Sequence, residues 1–258
     1  MSDQADVAVV ILTVLRPTLV QAVESVYAQD VAGRIHLLIG IDVALGERAM
    51  LDDLRARCPA HVELTVLELP YSTSVRHGGP HANCFGGSLQ TILTLAARAP
   101  AVAYLDDDDW YAPDHLRCQL AALQGKSWAF SLAWYVNPWN LEPMCVDRLE
   151  SVGPGAGVYA ASHGGFVRPS CLMLDKIKTQ AVLHLWSYAF APGESGDRLV
   201  FAALRQHFPD CGATDRATVY YLIKPTDSMH PVRLEYLRQQ GYTMSRLLHD
   251  TPFIAPRV

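Results

Sequence analysis

No Gly-x-Gly-x-x-Gly follows the first apolar run of this chain, and no Gly-Lys-Ser/Thr occurs anywhere in it. A Rossmann-type dinucleotide site and a Walker-type phosphate loop both lack their backbone signal. If a phosphorylated ligand binds, its charge must be met by other means. Cys-x-x-Cys is also missing: Cys58, Cys84, Cys118, Cys145, Cys171 and Cys211 stand far apart, which reads as reduced thiols in a core rather than a disulfide framework. The ten histidines are scattered, and the His-x-x-x-His spacing at His77-Gly78-Gly79-Pro80-His81 is not in a metal-site context. No apolar run approaches the ~20 residues that cross a bilayer, and Asp3 and Asp6 are wrong for a signal peptide. A net charge of −5 and a pI near 6.0 argue against a nucleic-acid-binding surface. The expectation is a soluble, cytoplasmic protein with no transmembrane segment and no nucleic-acid partner.

What the chain does have is apolar material in strand-sized and helix-sized pieces. Half of its 258 residues are hydrophobic, enough for one large α/β domain with helices on both faces of a sheet. Residues 7–14 form a β-branched run of the kind buried on both faces of a parallel sheet. Pro17 is placed to start a helix over Leu19, Val20, Val23, Val26 and Tyr27. Strands are expected at 35–41, 62–67, 101–105, 128–136, 170–174 and 218–223. Helices are expected at 47–57, along a face formed by Leu89, Ile92, Leu93, Leu95 and Ala96, from about Pro113, at 198–204 and at 233–240. Residues 69–79 and 153–157 read as Gly-containing loops.

The most specific segment is Tyr104-Leu105-Asp106-Asp107-Asp108-Asp109-Trp110, an apolar strand running into four carboxylates, followed by Pro113. In extended chain, Asp106 and Asp108 would share one face and Asp107 and Asp109 the other. Like charges so close raise a pKa unless a cation neutralises them. Hard oxygen donors at the carboxyl end of an α/β strand suit Mg²⁺ or Mn²⁺ with substrate phosphates. The competing reading is a solvated Asp-rich turn capping the next helix.

This segment resembles the Asp-x-Asp region of the family 2 glycosyltransferases, which have the GT-A fold. The resemblance implies a mostly parallel central sheet covered on both faces by helices. It places a GT-A domain at 1–225 (a nucleotide-sugar half to about 112, an acceptor half beyond) and a C-terminal helix and tail at 226–258. It implies transfer of a sugar from a nucleotide diphosphate sugar, UDP- or dTDP-linked, to a carbohydrate or other hydroxyl acceptor, with Mn²⁺ or Mg²⁺ on the diphosphate. Carried onto this sequence, Asp106 contacts the nucleoside, Asp108 binds the metal, and Asp107 joins the donor site. The Leu12-Thr13-Val14-Leu15-Arg16-Pro17 stretch keeps part of the family pattern, which makes Thr13 and Arg16 donor-site candidates. Asp42, closing the second strand, matches the family's acidic residue there, although an Asp starting a turn is equally common. Asn83 stands where an Arg-Asn pair is common, and Arg76 is a candidate phosphate neutraliser.

In the acceptor half, Pro192-Gly193-Glu194-Ser195-Gly196-Asp197 precedes a helix. The family carries an adjacent Glu-Asp pair there as the base. Here Asp197 is the first choice and Glu194 the second, against a purely capping role for Asp197. His230 is a candidate metal ligand, against a solvated loop histidine. The reaction implied is inverting, with the acceptor hydroxyl deprotonated by Asp197. The rivals are a catalytically silent nucleotide- or sugar-binding module of the same fold and a nucleotidyltransferase. The latter normally carries a basic Gly-rich loop after strand one. The oligomeric state is open between monomer and homodimer.

Overall fold

A computed structural model describes residues 5–82, 86–189 and 196–242. The first half alternates strand and helix: β1 (Val7–Thr13), α1 (Leu19–Tyr27), β2 (Ile35–Ile41), α2 (Ala49–Ala56), β3 (Val62–Glu68), α3 (Gly87–Ala96) and β4 (Ala101–Asp106). These four strands pair in parallel in the order β3-β2-β1-β4. β1 and β2 are buried almost throughout, as expected for strands with helices on both faces. Gly40 on β2 is a packing requirement: a Cβ there would lie 2.7–2.9 Å from the side-chain tips of Leu93, Leu89 and Leu12. Its absence lets α3 sit directly on the sheet.

The second half contains β5 (Trp110–Tyr111), α4 (His115–Leu123), β6 (Trp128–Val136), β7 (Pro143–Val146), β8 (Gly153–Pro154), α5 (Ala160–His163), β9 (Gly165–Phe166), β10 (Leu172–Asp175), α6 (Asp197–His207), β11 (Cys211–Leu222) and α7 (His230–Gln239). β10 lies antiparallel between β4 and β6, and β11 runs parallel to β6. Two reversals restore the original direction, so β6 and β11 point their carboxyl ends to the same edge as β1 and β4. Short β5 and β7 complete the sheet antiparallel to β11 and β6. α7 packs through Leu237 against Tyr135 and Ile223. Among the described residues no helix is long and apolar enough to cross a membrane. Cys58, Cys118, Cys145, Cys171 and Cys211 are free thiols.

Several local expectations change. α1 begins at Leu19 because Leu15 takes a left-handed conformation (φ 64°) and turns the chain before Pro17. On α3, Leu89 and Leu93 are buried while Ile92 and Leu95 are exposed, so the inward face is narrower than the apolar spacing suggests. The 153–157 segment is not a free link: β8 pairs with β9 as a two-residue ladder. The 170–174 strand starts two residues later, after a 3-10 turn over Pro169–Cys171.

Candidate functional site

β1 and β4 lie side by side with Leu12 opposite Asp106, and β1 and β2 with Thr13 opposite Ile41. Thr13, Asp42 and the Asp run therefore emerge together at the carboxyl edge of the sheet, where ligands of open α/β folds bind. A cavity of about 520 Å³ opens there, lined by Thr13, Arg16, Asp42, Arg76, Asp106, Asp107, Asp108, Asp197 and Lys224 among others. Its size suits a nucleotide-sized ligand.

The four aspartates do not alternate across an extended strand. The chain turns as soon as β4 ends, with the Asp109 N–H donating to the Asp106 carbonyl at 3.0 Å. Asp is a good turn former, which favours this over continued strand. Ser170 clips the turn shut: its Oγ accepts from the Asp106 N–H at 3.1 Å and donates to Asp109 Oδ2 at 2.7 Å. The consequence is a division of labour that strand alternation would not give. Asp106 is open to the cleft, while Asp107, Asp108 and Asp109 are buried.

Asp107 is the fixed member. Its Oδ2 accepts from Thr13 Oγ1 at 2.7 Å, and its Oδ1 pairs with Arg16 Nη1 at 2.7 Å. Thr13 Oγ1 also accepts from the Leu15 N–H at 2.8 Å. The strained Leu15 thus shapes the loop that delivers Arg16 to the carboxylates, and such strain clusters at functional sites. Asp108 carries two cations on one oxygen, Lys224 Nζ at 2.6 Å and Arg16 Nη1 at 3.2 Å. Asp109 Oδ1 faces the Leu222 N–H at 3.4 Å, which ties the turn to β11.

Crowding perturbs these groups. Asp106 is pushed up to about 6, first because it is set deep among protein atoms and then by the charge of Asp108. Its carboxylate nevertheless reaches cleft water, which moderates the effect. Burial, reinforced by Asp106 and Asp108, holds Asp109 well above the usual carboxylate range. Burial also raises Asp107, with Arg16 pulling the other way. Burial alone would lower the Lys224 ammonium, but Asp108, Asp106 and Asp109 outweigh it and raise the group.

Asp197, which also lines the cavity, is the first residue of α6, with Gly196 as the flanking cap. Its Oδ1 accepts from the Arg198 N–H at 2.7 Å. It is near enough for its charge to help raise Asp106. Tyr104 and Trp186, with ring centroids 4.7 Å apart, form an aromatic part of the lining. Asp42 accepts from Ser72 Oγ at 2.8 Å, and Arg76 lines the cavity from the 3-10 turn Val75–His77. Asn83 and Glu194 lie outside the described residues.

His230 opens α7, is 9 % exposed, and does not line the cavity. Its Nδ1 is buried with no hydrogen-bond partner among the described residues. Two other residues of the same stretch, Lys224 and Asp227, do line the cavity. Behind them lies a buried ionic hub. Asp147 accepts from the N–H groups of Leu149, Glu150 and Ser151 at 2.9, 2.8 and 3.1 Å, and pairs with Arg168 Nη2 at 2.7 Å. The Arg168 guanidinium stacks 3.6 Å from the Tyr221 ring centroid, while Arg233 bridges Glu150 and Asp227.

Lys224, Ser170 and the Asp147–Arg168 hub are absent from the sequence reading. A signal for Lys224 existed: a lysine directly after the last long strand sits at the carboxyl edge if that strand is parallel. Ser170 and the hub are contacts between segments far apart in the chain, and nothing in a single sequence pairs them.

No family model and no curated protein matches this chain. Solved structures do. S. aureus TarS 1-349 in complex with UDP-GlcNAc has a TM-score of 0.61 at 12% identity, covering 95% of this chain and 68% of that one. The mannosyltransferase PcManGT from Pyrobaculum calidifontis, in complex with GDP-Man and Mn²⁺, has a TM-score of 0.55 at 13% identity, covering 93% and 62%. Against the longer TarS chain the match has a TM-score of 0.60 and spans 41% of its length. The fold is that of the GT-A-type glycosyltransferases, as the Asp run implied.

Proposed function

We propose that this chain transfers a sugar from a nucleotide diphosphate sugar to an acceptor hydroxyl, with inversion at the anomeric carbon. The observation that carries this reading is the Asp106–Asp109 turn at the carboxyl edge of β4, opening on a cavity that Asp197 also lines. A GT-A fold shared with structures holding UDP-GlcNAc and GDP-Man supports it. The nucleotide lies over the ends of β1 and β2, with Asp42 and Asp106 as partners for base and ribose hydroxyls. Thr13 and Arg16 act one step back, by fixing Asp107. Asp197 takes the acceptor proton, and the hydroxyl attacks the anomeric carbon as the nucleotide diphosphate leaves. UDP- or dTDP-sugars are the proposed donors, and a cytoplasmic polysaccharide or glycoconjugate synthesis is the proposed setting.

A divalent ion fits the donor chemistry. Asp106 presents its carboxylate to the cleft and Asp108, though largely buried, lines it; Mg²⁺ and Mn²⁺ are commonly held by one or two carboxylates plus phosphate oxygens and water. Among the described residues no three His, Cys, Asp or Glu side chains form a group that could hold a metal, so an ion held by Asp106 and Asp108 would need further donors such as diphosphate oxygens and water. When bound, such an ion neutralises charge on the leaving diphosphate. The assignment rests on Asp108 with Asp106; His230, outside the cavity lining, is left out of it.

A thermal-shift panel of nucleotide diphosphates and nucleotide sugars, each with and without Mn²⁺, tests the donor reading. A ligand at 100 times its Kd adds roughly 2.7 kcal/mol of stability. Stabilisation by one nucleotide class, followed by sugar release to an acceptor, is the expected result. Stabilisation with no turnover toward any acceptor would leave a binding module instead.

A further inference from the structure

We infer that Lys224 is a resident counter-cation of the diphosphate pocket, exchanging between Asp108 and the donor diphosphate. This inference rests on the nucleotide-sugar reading of the same site. Three observations carry it. Lys224 Nζ sits 2.6 Å from Asp108 Oδ2, the carboxylate assigned to the metal. Its side chain is 42 % exposed and lines the cavity, so donors of the ammonium remain directed at the cleft. Its backbone is held firmly. The Leu222 N–H faces Asp109 Oδ1, the Ile223 N–H donates to the Val136 carbonyl at 3.3 Å, and the Lys224 carbonyl accepts from the Asp227 N–H at 3.1 Å.

The charge balance gives the group its task. Four consecutive carboxylates surround the turn, and Arg16 spends one guanidinium nitrogen on two of them. An arriving diphosphate adds negative charge to a site that has no Gly-rich loop to receive it. An ammonium on a flexible stem is suited to meet that charge, because it is a compact point charge with rotatable donors. A Mg²⁺ or Mn²⁺ ion on the Asp108 carboxylate would compete with Lys224 for that negative charge and weaken the ammonium's hold on Oδ2. With an ion held by Asp108, Lys224 would be freer to turn its ammonium onto the diphosphate. Without metal, Lys224 alone gives the pocket a residual affinity for a nucleoside diphosphate.

The experiment is calorimetric titration of UDP, dTDP and GDP into the whole chain, in EDTA and in Mn²⁺, for wild type, Lys224→Gln and Lys224→Arg. The expected result is measurable binding of one nucleotide in EDTA that Lys224→Gln weakens about 10- to 100-fold, the worth of a charge-assisted hydrogen bond. Lys224→Arg retains most of it. Direct Mn²⁺ titration of the nucleotide-free protein is expected to show tighter binding for Lys224→Gln, because the competing ammonium is gone. If the cognate nucleotide binds wild type in Mn²⁺ but not at all in EDTA, or binds Lys224→Gln in EDTA as it binds wild type, the Lys224 inference fails while the donor reading stands. If no nucleotide binds wild type even in Mn²⁺, both fail. Unchanged melting temperatures separate these outcomes from misfolding.

Discussion

Replacing Asp147 by alanine should cost more stability than any substitution at the mouth of the cleft. Asp147 is fully buried; it accepts three backbone N–H bonds from the turn that follows it and pairs with Arg168, itself 5 % exposed. Truncation leaves the buried Arg168 guanidinium without its direct carboxylate partner, stacked on the Tyr221 ring with the charges of Glu150 and Asp109 farther off. Removing one member of a buried pair typically costs about 3–5 kcal/mol. With an unfolding entropy of roughly 2.1 cal/mol/K per residue, 258 residues give about 0.5 kcal/mol/K, so the melting temperature should fall by about 6–9 °C. Differential scanning calorimetry, checked for two-state behaviour, measures it. The double variant Asp147→Ala/Arg168→Met should recover part of the loss, since an apolar group in place of a buried ion is often neutral or better. Glu68→Gln, which breaks only the exposed pair with Arg48, should leave the melting temperature unchanged. A fall under about 2 °C for Asp147→Ala would refute the view that this buried pair contributes strongly to the stability of the fold.

Asp197→Asn keeps an oxygen for the Arg198 N–H but removes basicity. Single-turnover transfer should fall on the order of 10² to 10⁴, with donor binding and melting unchanged; near-normal transfer would return the role to Glu194. Asp106 supplies a pH signature. Its carboxyl is raised to about 6 in the folded chain, so the native state holds a proton that the unfolded state has lost between about pH 4 and 6. Its contribution to stability is therefore lost as pH rises through that window. Asp106→Asn should gain on wild type across the window and hold a constant advantage above it, about 1 kcal/mol once cleft water is allowed for. Parallel melting curves for the two proteins from pH 4 to 7 would refute this.

The parallel half of the sheet was legible because its signals are local. Residues 35–41 and 128–136 are largely apolar, broken only by His36, Gly40 and Ser131 and bounded by polar residues, and both strands match the expected spans. The Asp run was legible as carboxylates at the end of a buried strand, but its geometry was not. Alternation assumes an extended chain, whereas the Asp109 N–H closes a turn on Asp106 and sorts the four carboxylates by what lies around them. Those surroundings come from Thr13, Arg16, Ser170 and Lys224, separated from the turn by 60 or more residues in all cases. Ile92 and Leu95 show a related limit, since helical spacing marks apolar positions but not which of them a partner covers.

The central claim is that the Asp106–Asp109 turn binds a nucleotide diphosphate through a cation on Asp108. Titration of UDP, dTDP and GDP in Mn²⁺ into wild type and Asp108→Ala, with the melting temperature of each protein as a folding control, tests it most directly. One nucleotide should bind wild type more tightly in Mn²⁺ than in EDTA, and that gain should vanish in Asp108→Ala. Equal Mn²⁺-dependent binding by the variant, or no nucleotide binding by wild type, would contradict the account.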